Sequence, residues 1–491
     1  MISSTHYGRY ALWLILGVTA VRVFGLPFSQ VQLHGDEAQY WSWAQDLDFG
    51  YFSKPPLIAW IIAATTAVFG DAEWAARLGS PLFHALTATC LYFSGKAFFS
   101  AREGFWAALI FLLMPAVFLS SGIISTDVPL LTMWAFGLLC VAKLRAAPSW
   151  PWAVGLGVAI GIGLLAKYAM MFFLPALVLA VIFDKPLRYA LASSRSVITV
   201  LVAGIIFAPN IIWNAQNGFQ TVSHTAANTN LDGPLFHPLE LLEFWFTQIG
   251  IFGPVLLVIY VAALISAFRK NASAETRLLA WFIIVPITII SIQALVSRAN
   301  ANWAVTSYVA ACMLVARFVM ARPNWRKAAI FGLAFNIFMG GMATAGGLFP
   351  GFADALGQAN AFKRTRGWVE TKEAIIPYYE AGWRGQNFDV IAFDHRLTFY
   401  DMNYYGLGET APLKMWLYRS APHNHAEATA PLGAGEQPVL LVNNYPDYAD
   451  EFTDDFKQLE RLGTIEIDLG GGKTRTLYMW AAAGYTPAAA R

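Results

Sequence analysis

A succession of apolar stretches constrains this chain more than any other feature. They lie near residues 9–27, 76–99, 104–121, 127–145, 152–166, 168–183, 198–214, 241–268, 278–296, 303–320 and 327–347. A helix that crosses a bilayer needs about 20 apolar residues, because in hydrocarbon its backbone polar groups must find partners within the helix. The pattern therefore restricts the chain to a polytopic α-helical membrane protein with about eleven transmembrane helices. Composition agrees: 57% of residues are hydrophobic and 13% are charged, against about 25% charged in ordinary soluble domains. The formal net charge of +2 implies no bulk affinity for polyanions, so nucleic acid is not an expected partner. Cys90, Cys140 and Cys312 all sit in apolar stretches, without metal-site spacing or a disulfide framework. The 152–166 stretch is short and Pro175 interrupts the next, so the pair also reads as one long broken helix. Residues 57–69 are apolar but short, and read as an interfacial helix lying on the membrane.

Orientation follows from the basic residues. With a cytoplasmic N-terminus, one set of connections holds Lys96, Arg102, Lys143, Arg145, Lys185, Arg188, Arg269, Lys270, Arg322, Arg326 and others. The opposite set holds only Lys54, Arg77, Lys167 and Arg298, and the loop 215–240 has no Lys or Arg. This is the positive-inside bias. It places loops 28–75 and 215–240 and the tail from 350 outside the cytoplasm. The first span reads as an uncleaved anchor, since Arg22 is out of place in a signal peptide. The domain division expected is a transmembrane domain over 1–349 and a soluble extracytoplasmic domain over 350–491.

The tail is compositionally different. Short apolar runs at Val390–Phe393, Val439–Val442, Ile465–Ile467 and Leu477–Ala481 read as strands, and Gly367–Glu380 and Asp450–Arg461 as helices. Together they predict a small α/β domain. Gly470-Gly471-Gly472 reads as a turn between strands, because no phosphate-loop context follows it.

On this topology the unusual polar residues fall on one face. The stretch His34–Pro56, HGDEAQYWSWAQDLDFGYFSKPP, carries Asp36, Glu37, Asp46, Asp48, Tyr51 and Lys54. Asp127, Lys167, Tyr168, His224, His237, Glu240, Glu243, Arg298, Asn302 and Trp303 lie on the same side. Ionisable groups beside a bilayer are costly to place and are functional candidates by default. Bland readings stand beside these. Asp36 and Asp127 could each cap a helix, and Lys167 could snorkel. Tyr40, Trp41, Trp43 and Trp303 read better as an interfacial aromatic belt, and Asp46 and Asp48 as a solvated loop. His224 and His237 with Glu240 or Glu243 make a divalent metal possible, without a tight motif. Polar groups at mid-span, which a transporter would carry, are few: Arg22 and Gln293.

Several ordered segments resemble a known family. They are HGDEAQYW, YFSKPPLIAW, ARLGSPLFHALTA, STDVPLLTMWA, GLLAKYAMMFFLP, PNIIWNAQNGF, HTAANT and ANWAVTSY, over about residues 8–320. Together the chain resembles a bacterial C-fold (GT-C) glycosyltransferase, of the branch with protein O-mannosyltransferases and lipid A aminoarabinose transferases. In the latter the residue before the loop lysine is usually acidic; here it is Ser53.

The resemblance implies inverting transfer of a sugar from a polyprenyl-phosphate donor to an extracytoplasmic acceptor. The acceptor would be lipid A or core, another envelope glycan, or protein. Residue chemistry is compatible. A departing lipid phosphate is helped by nearby positive charge, which makes Lys54, Arg298 and Lys167 the donor phosphate-binding candidates. A hydroxyl acceptor needs a base, which makes Asp36 the catalytic candidate, with Glu37 beside it. If the acceptor is a phosphate, Asp36 instead positions substrate. Asp127, Tyr51, Asn302, Trp303 and His224 are substrate-binding candidates. No cofactor is implied beyond the possible metal. The alternative reading is a membrane transporter or flippase for a lipid or glycan. A third, synthesis of the lipid-linked donor, is disfavoured because Asp184 and Glu275 are almost the only cytoplasmic acids.

Overall fold

The structure is a computed structural model, and it describes residues 4–230, 234–419, 421–445 and 448–487. Part of the expected external loop 215–240, residues 231–233, lies outside the described residues. Two compact units emerge: Met1–Phe28 with Asp48–Thr344, and Ser29–Leu47 with Ala345–Arg491. The loop expected to run over 28–75 is thus divided. Its first part groups with the C-terminal residues and its second part with the helices.

In chain order the first helices are α1 (Ser4–Gly25), α2 (Gly35–Ala44), α3 (Leu57–Phe69), α4 (Glu73–Arg77), α5 (Gly79–Phe98), α6 (Ala101–Leu112), α7 (Pro115–Ser120), α8 (Asp127–Ala146) and α9 (Trp150–Ala166). Next come α10 (Phe173–Phe183), α11 (Lys185–Leu191), α12 (Ser194–Gln216), α13 (Gln220–Ala227), α14 (Pro238–Phe252), α15 (Pro254–Ala267), α16 (Ala274–Val296), α17 (Val305–Ala321) and α18 (Arg326–Leu348). Beyond them are α19 (Pro350–Ala355), α20 (Ala359–Phe362), α21 (Trp368–Ala381), α22 (Arg396–Tyr404), α23 (His425–Thr429) and α24 (Ala449–Asp455).

Among the described residues six helices are individually long and apolar enough to cross a membrane, and up to eight spans result if each of two bent pairs is one span. Fewer helices meet that length-and-composition criterion than the eleven apolar stretches, for local reasons. The stretch 241–268 is not one rod: α14 and α15 meet at 108°, where Gly253 adopts φ +90 directly before Pro254. The stretch 104–121 is broken before Pro115 into α6 and α7. The helix α5 has 20 residues but buries Ser80, His84, Thr87 and Ser94. Between α9 and α10 the chain is extended at Lys167 and then 3-10 helical over Tyr168–Phe172. Pro175 therefore sits in the first turn of α10, where a missing N–H costs little.

Small residues let the membrane helices approach. Gly95 of α5 faces Gly104 of α6, and a Cβ at Gly104 would come within 2.3 Å of the Tyr92 carbonyl. Gly157 and Gly161 on α9 abut the Thr199 and Ala203 carbonyls of α12, a small-xxx-small contact of the kind that packs helices in lipid. The faces left over on α1 and α12 are apolar and exposed, with Val21, Phe24, Val200 and Ile205 more than two-thirds accessible.

The C-terminal unit is built on a five-stranded sheet of β1 (Val390–Phe393), β2 (Leu413–Met415), β3 (Val439–Asn443), β4 (Phe456–Asp468) and β5 (Thr474–Tyr485), in the order β2-β1-β3-β5-β4. The strand β1 runs parallel to β2 and β3, whereas β5 is antiparallel to both β3 and β4. All four expected strands are present, and β4 and β5 are far longer than their apolar cores. The expected helix Asp450–Arg461 stops early: α24 ends at Asp455 and β4 begins at Phe456. Pairing with β5 across Phe456–Asp468 outweighs local helical preference there, as sheet context often does. The turn from β4 to β5 needs its three glycines, which have φ +82, +56 and +70. One face of the sheet buries Ile391, Phe393, Leu440, Leu477 and Met479. The other buries Ala392, Leu441 and Phe452.

Candidate active site

In the C-terminal unit, α2 carries the Asp-Glu pair. Its N-cap is His34, not Asp36. The His34 Nδ1 accepts from the Asp36 N–H at 3.2 Å, and the Glu37 carboxylate accepts from the His34 N–H at 3.0 Å. Glu37 is buried and closes a capping box, which leaves the Asp36 side chain uninvolved in the cap. That side chain is 45% exposed. Its Oδ1 accepts from both terminal nitrogens of Arg396, at 3.3 and 3.4 Å, while Arg396 also donates to the Gln39 Oε1. Two of the three α2 aromatics, Tyr40 and Trp43, are buried core residues and not a belt, whereas Trp41 is half-buried. Trp41 and Trp43 meet Tyr404 and His425 edge-on.

Arg396 begins α22, directly after β1 and the polar pair Asp394-His395. The Asp394 carboxylate accepts from the Asn444 N–H at 2.9 Å and from the Asn443 amide at 2.9 Å. Burial nevertheless pushes its carboxyl up to about 7, against the pull of those donors. Burial, reinforced by the guanidiniums of Arg396 and Arg364, brings His395 down to about 4, so its ring is neutral at pH 7. Farther along α22, Asp401 is wholly buried and neither carboxylate oxygen has a hydrogen-bond partner. Burial raises it well above the carboxylate range, opposed by Arg475 and helped by Glu37 and Asp36.

In the membrane unit, the segment from Asp48 to Pro56 is held by its backbone. The Tyr51 N–H donates to the Lys54 carbonyl at 3.1 Å, and the Tyr51 carbonyl accepts from the Thr221 hydroxyl at 2.7 Å. Tyr51 is buried and its hydroxyl accepts from the Asp48 N–H at 3.1 Å. Asp48 is not an idle loop acid: its carboxylate accepts from the Trp213 indole and its carbonyl from the Trp60 indole. Lys54 is half-buried.

Three expected residues come together at the ends of α8, α9 and the 3-10 turn Ala301–Ala304. The Lys167 Nζ lies 2.7 Å from the Asp127 Oδ1, and the Asn302 amide donates to the Asp127 Oδ2 at 2.6 Å. Asp127 is the first residue of α8 and its side chain makes no cap; the N-cap position belongs to Thr126. Next to this cluster in sequence, the Tyr168 hydroxyl donates to the Asn210 Oδ1 at 2.8 Å, and Asn210 donates to the Phe49 carbonyl at 2.6 Å. Arg298 is exposed just beyond α16. Trp303 is half-buried against the apolar cluster of Phe244, Ile287 and Ile290. The His224 ring meets Phe52, and its Nδ1 lies 3.3 Å from the Asn228 amide.

The possible metal set does not assemble. Among the described residues no group of three His, Cys, Asp or Glu is placed to hold an ion, and His237 turns its Nε2 to the Pro234 carbonyl. The two mid-span polar groups are also occupied. Arg22 donates to the last carbonyl of α6, Leu112, at 2.6 Å, and Gln293 to the Thr229 carbonyl at 2.8 Å. Asp184 and Glu275 both accept from Arg145, at 2.9 Å each.

Residues 53–213 match the family model for dolichyl-phosphate-mannose-protein mannosyltransferases. The lipid A galacturonosyltransferase RgtD of Rhizobium johnstonii is 35% identical over 343 residues, which is 70% of this chain and 70% of that protein. The chain belongs to the PMT/ArnT-like family of GT-C glycosyltransferases. A second member, an undecaprenyl phosphate-alpha-4-amino-4-deoxy-L-arabinose arabinosyl transferase of Pseudomonas savastanoi pv. phaseolicola, is 31% identical over 156 residues, 30% of this chain and 28% of that protein. Among solved structures, apo ArnT from Cupriavidus metallidurans superposes with a TM-score of 0.65 at 16% identity, covering 96% of this chain and 98% of that one. The same protein bound to undecaprenyl phosphate gives 0.63 at 18%, covering 96% and 97%. The shared fold is a polytopic helical GT-C membrane protein with a small C-terminal sheet domain. Membership of a glycosyltransferase family sets aside the transporter reading.

Arg396 and Gln39, the partners of Asp36 within this family fold, were not candidates from sequence. Arg396 is far from Asp36 along the chain. The signal that could have found it is its place after a parallel strand, where α/β sheets put ligand-facing residues.

Proposed function

We propose that this glycosyltransferase transfers a sugar, with inversion, from a polyprenyl-phosphate donor to lipid A or a related envelope glycolipid. The reaction takes place on the extracytoplasmic side of the bacterial inner membrane. The observation that carries the reading is the 35% identity with a lipid A galacturonosyltransferase over 70% of both chains. Ser53 supports a donor without an amino group. The aminoarabinose transferases usually carry an acid before this lysine, and Ser53 departs from them there.

In this reading Asp36 accepts the proton of the attacking hydroxyl. Arg396 and Gln39 hold it in orientation, and Glu37 fixes the helix start without touching substrate. Lys54 and Arg298 hold the departing lipid phosphate. A phosphate leaving group needs no general acid at neutral pH, and positive charge that meets it lowers the barrier. The planar fork of Arg298 can engage two phosphate oxygens. Lys167 was a third phosphate candidate. Its salt bridge to Asp127 neutralises it, so its role is to fix the ends of α8 and α9 with Asn302.

The test is a transfer assay with purified full-length protein in nanodiscs. Undecaprenyl-phosphate galacturonic acid and its aminoarabinose counterpart are offered as donors, and lipid A as acceptor. Transfer of galacturonic acid to lipid A is the expected result. Transfer only to a polypeptide, or none from any polyprenyl-phosphate sugar, would refute it.

A further inference from the structure

At the Lys/Arg-rich end of the membrane unit, the α15–α16 loop and the last turns of α17 enclose a cavity of about 390 Å³. Four cations line it: Arg269, Lys270, Arg317 and Arg322, together with Ser273 and Thr276. Like charges around one cavity repel each other, and the nearby acids answer only part of that repulsion. Glu103 accepts from Arg317 at 3.1 Å, and Glu275 at the start of α16 is taken by Arg145 at 2.9 Å. Among the described residues Arg269, Lys270 and Arg322 have no carboxylate partner. The guanidinium of Arg322 lies 4.2 Å over the Phe318 ring. The N-terminus of the 23-residue α16, capped by Ser273, is at the same place and adds the positive end of a helix dipole. Everything about the cavity asks for an anion.

A second observation decides what kind. The approach along α15 is an apolar stripe: Val258, Val261, Ile265 and Phe268 are exposed at helical spacing and lead up to Arg269. A free anion has no use for such a stripe. A diacyl lipid does, because its chains cover the apolar face while its headgroup reaches the basic pocket. We propose that this cavity binds the phosphate headgroup of an anionic phospholipid. The bound lipid holds the ends of α15, α16 and α17 together by neutralising their shared charge. The site uses none of the residues assigned to catalysis.

The experiment is native mass spectrometry of the purified full chain. It is titrated with phosphatidylglycerol or with phosphatidylcholine of the same acyl chains. One phosphatidylglycerol should be retained under conditions that strip phosphatidylcholine. Each cation lost near a membrane surface weakens such binding about fivefold, so Arg269→Gln/Arg322→Gln should weaken it about 25-fold. Lys185→Gln/Arg188→Gln, elsewhere at the same basic end, should leave it unchanged. The single variant Lys270→Gln, at an exposed side chain, gives the same direction if the double variant is poorly folded. Equal retention of phosphatidylcholine, unchanged binding in the cavity variants, or equal loss in the control variant would each overturn the proposal. Displacement of the lipid by excess inorganic phosphate would overturn the lipid assignment in favour of a free-phosphate site.

Discussion

Replacing Asp127 by leucine removes the counter-ion of Lys167. The two side chains are 14% and 19% exposed and their charges are 2.7 Å apart. At an effective dielectric of about 20, the Coulomb attraction is about 6 kcal/mol. Desolvation of the two ions cancels most of it, so exchanging both partners for apolar residues of similar volume is close to neutral. Removing one partner is different, because the other charge stays behind. A fully buried pair costs about 3–5 kcal/mol when halved, and the residual exposure here lowers that to about 2–4 kcal/mol. Asp127→Leu and Lys167→Met should each lose that much stability, the double variant less than about 1.5 kcal/mol. The assay is denaturant titration in mixed micelles, with initial transfer rates measured on the same samples. The double variant should also recover most of the rate per folded molecule. Single costs that simply add would refute the claim that the pair acts as a unit. A stable but inactive double variant would refute the structural role given to Lys167.

Asp36→Asn should abolish transfer at normal protein abundance, whereas Asp46→Asn should retain it; wild-type turnover by Asp36→Asn ends the catalytic assignment. Lys54→Ala should lower the rate at least about tenfold, with Lys54→Arg recovering part of it and Arg298→Lys recovering less than its parent arginine, because one is a point contact and the other a fork. Near-normal rate and donor affinity in Lys54→Ala would make that lysine a membrane anchor. Arg396→Gln should lower kcat about tenfold with little change in donor KM, and Arg396→Lys should restore part, since Arg396 acts on Asp36 and not on the donor; a change confined to KM would contradict this. Asp401 binds its proton more tightly in the folded chain than in the unfolded one. Its contribution is therefore favourable at low pH and is lost as pH rises above about 4, the unfolded value. Asp401→Asn should then stabilise the C-terminal unit at pH 8, measured by hydrogen exchange in α22, with the gain shrinking towards pH 4. A gain that grows on acidification would reverse the sign and refute the buried neutral acid.

Much of the architecture was legible from one-dimensional patterns. Bilayer thickness imposes long apolar runs, so the polytopic helical class followed from hydropathy alone. The strands Val390–Phe393 and Val439–Val442 were legible because a strand buried on both faces reads as a continuous apolar run. The ordered blocks from HGDEAQYW to ANWAVTSY carried the family, and with it the reaction class. Other features needed the third dimension. The break at Gly253 was hidden because two short apolar helices and one long one share a composition. The strand Phe456–Arg461 looked helical because its partner β5 comes later in the chain. Tyr40, Trp41 and Trp43 looked like a membrane belt, since an aromatic run does not say whether lipid or protein covers it. The Asp127–Lys167–Asn302 cluster and the Arg396–Asp36 contact join residues hundreds of positions apart or on separate helices. Sequence by itself determined which residues were too costly to place without a purpose. Only the tertiary structure decided which charge each one meets, because an ion pair is set by angstroms in space and leaves no period or spacing along the chain.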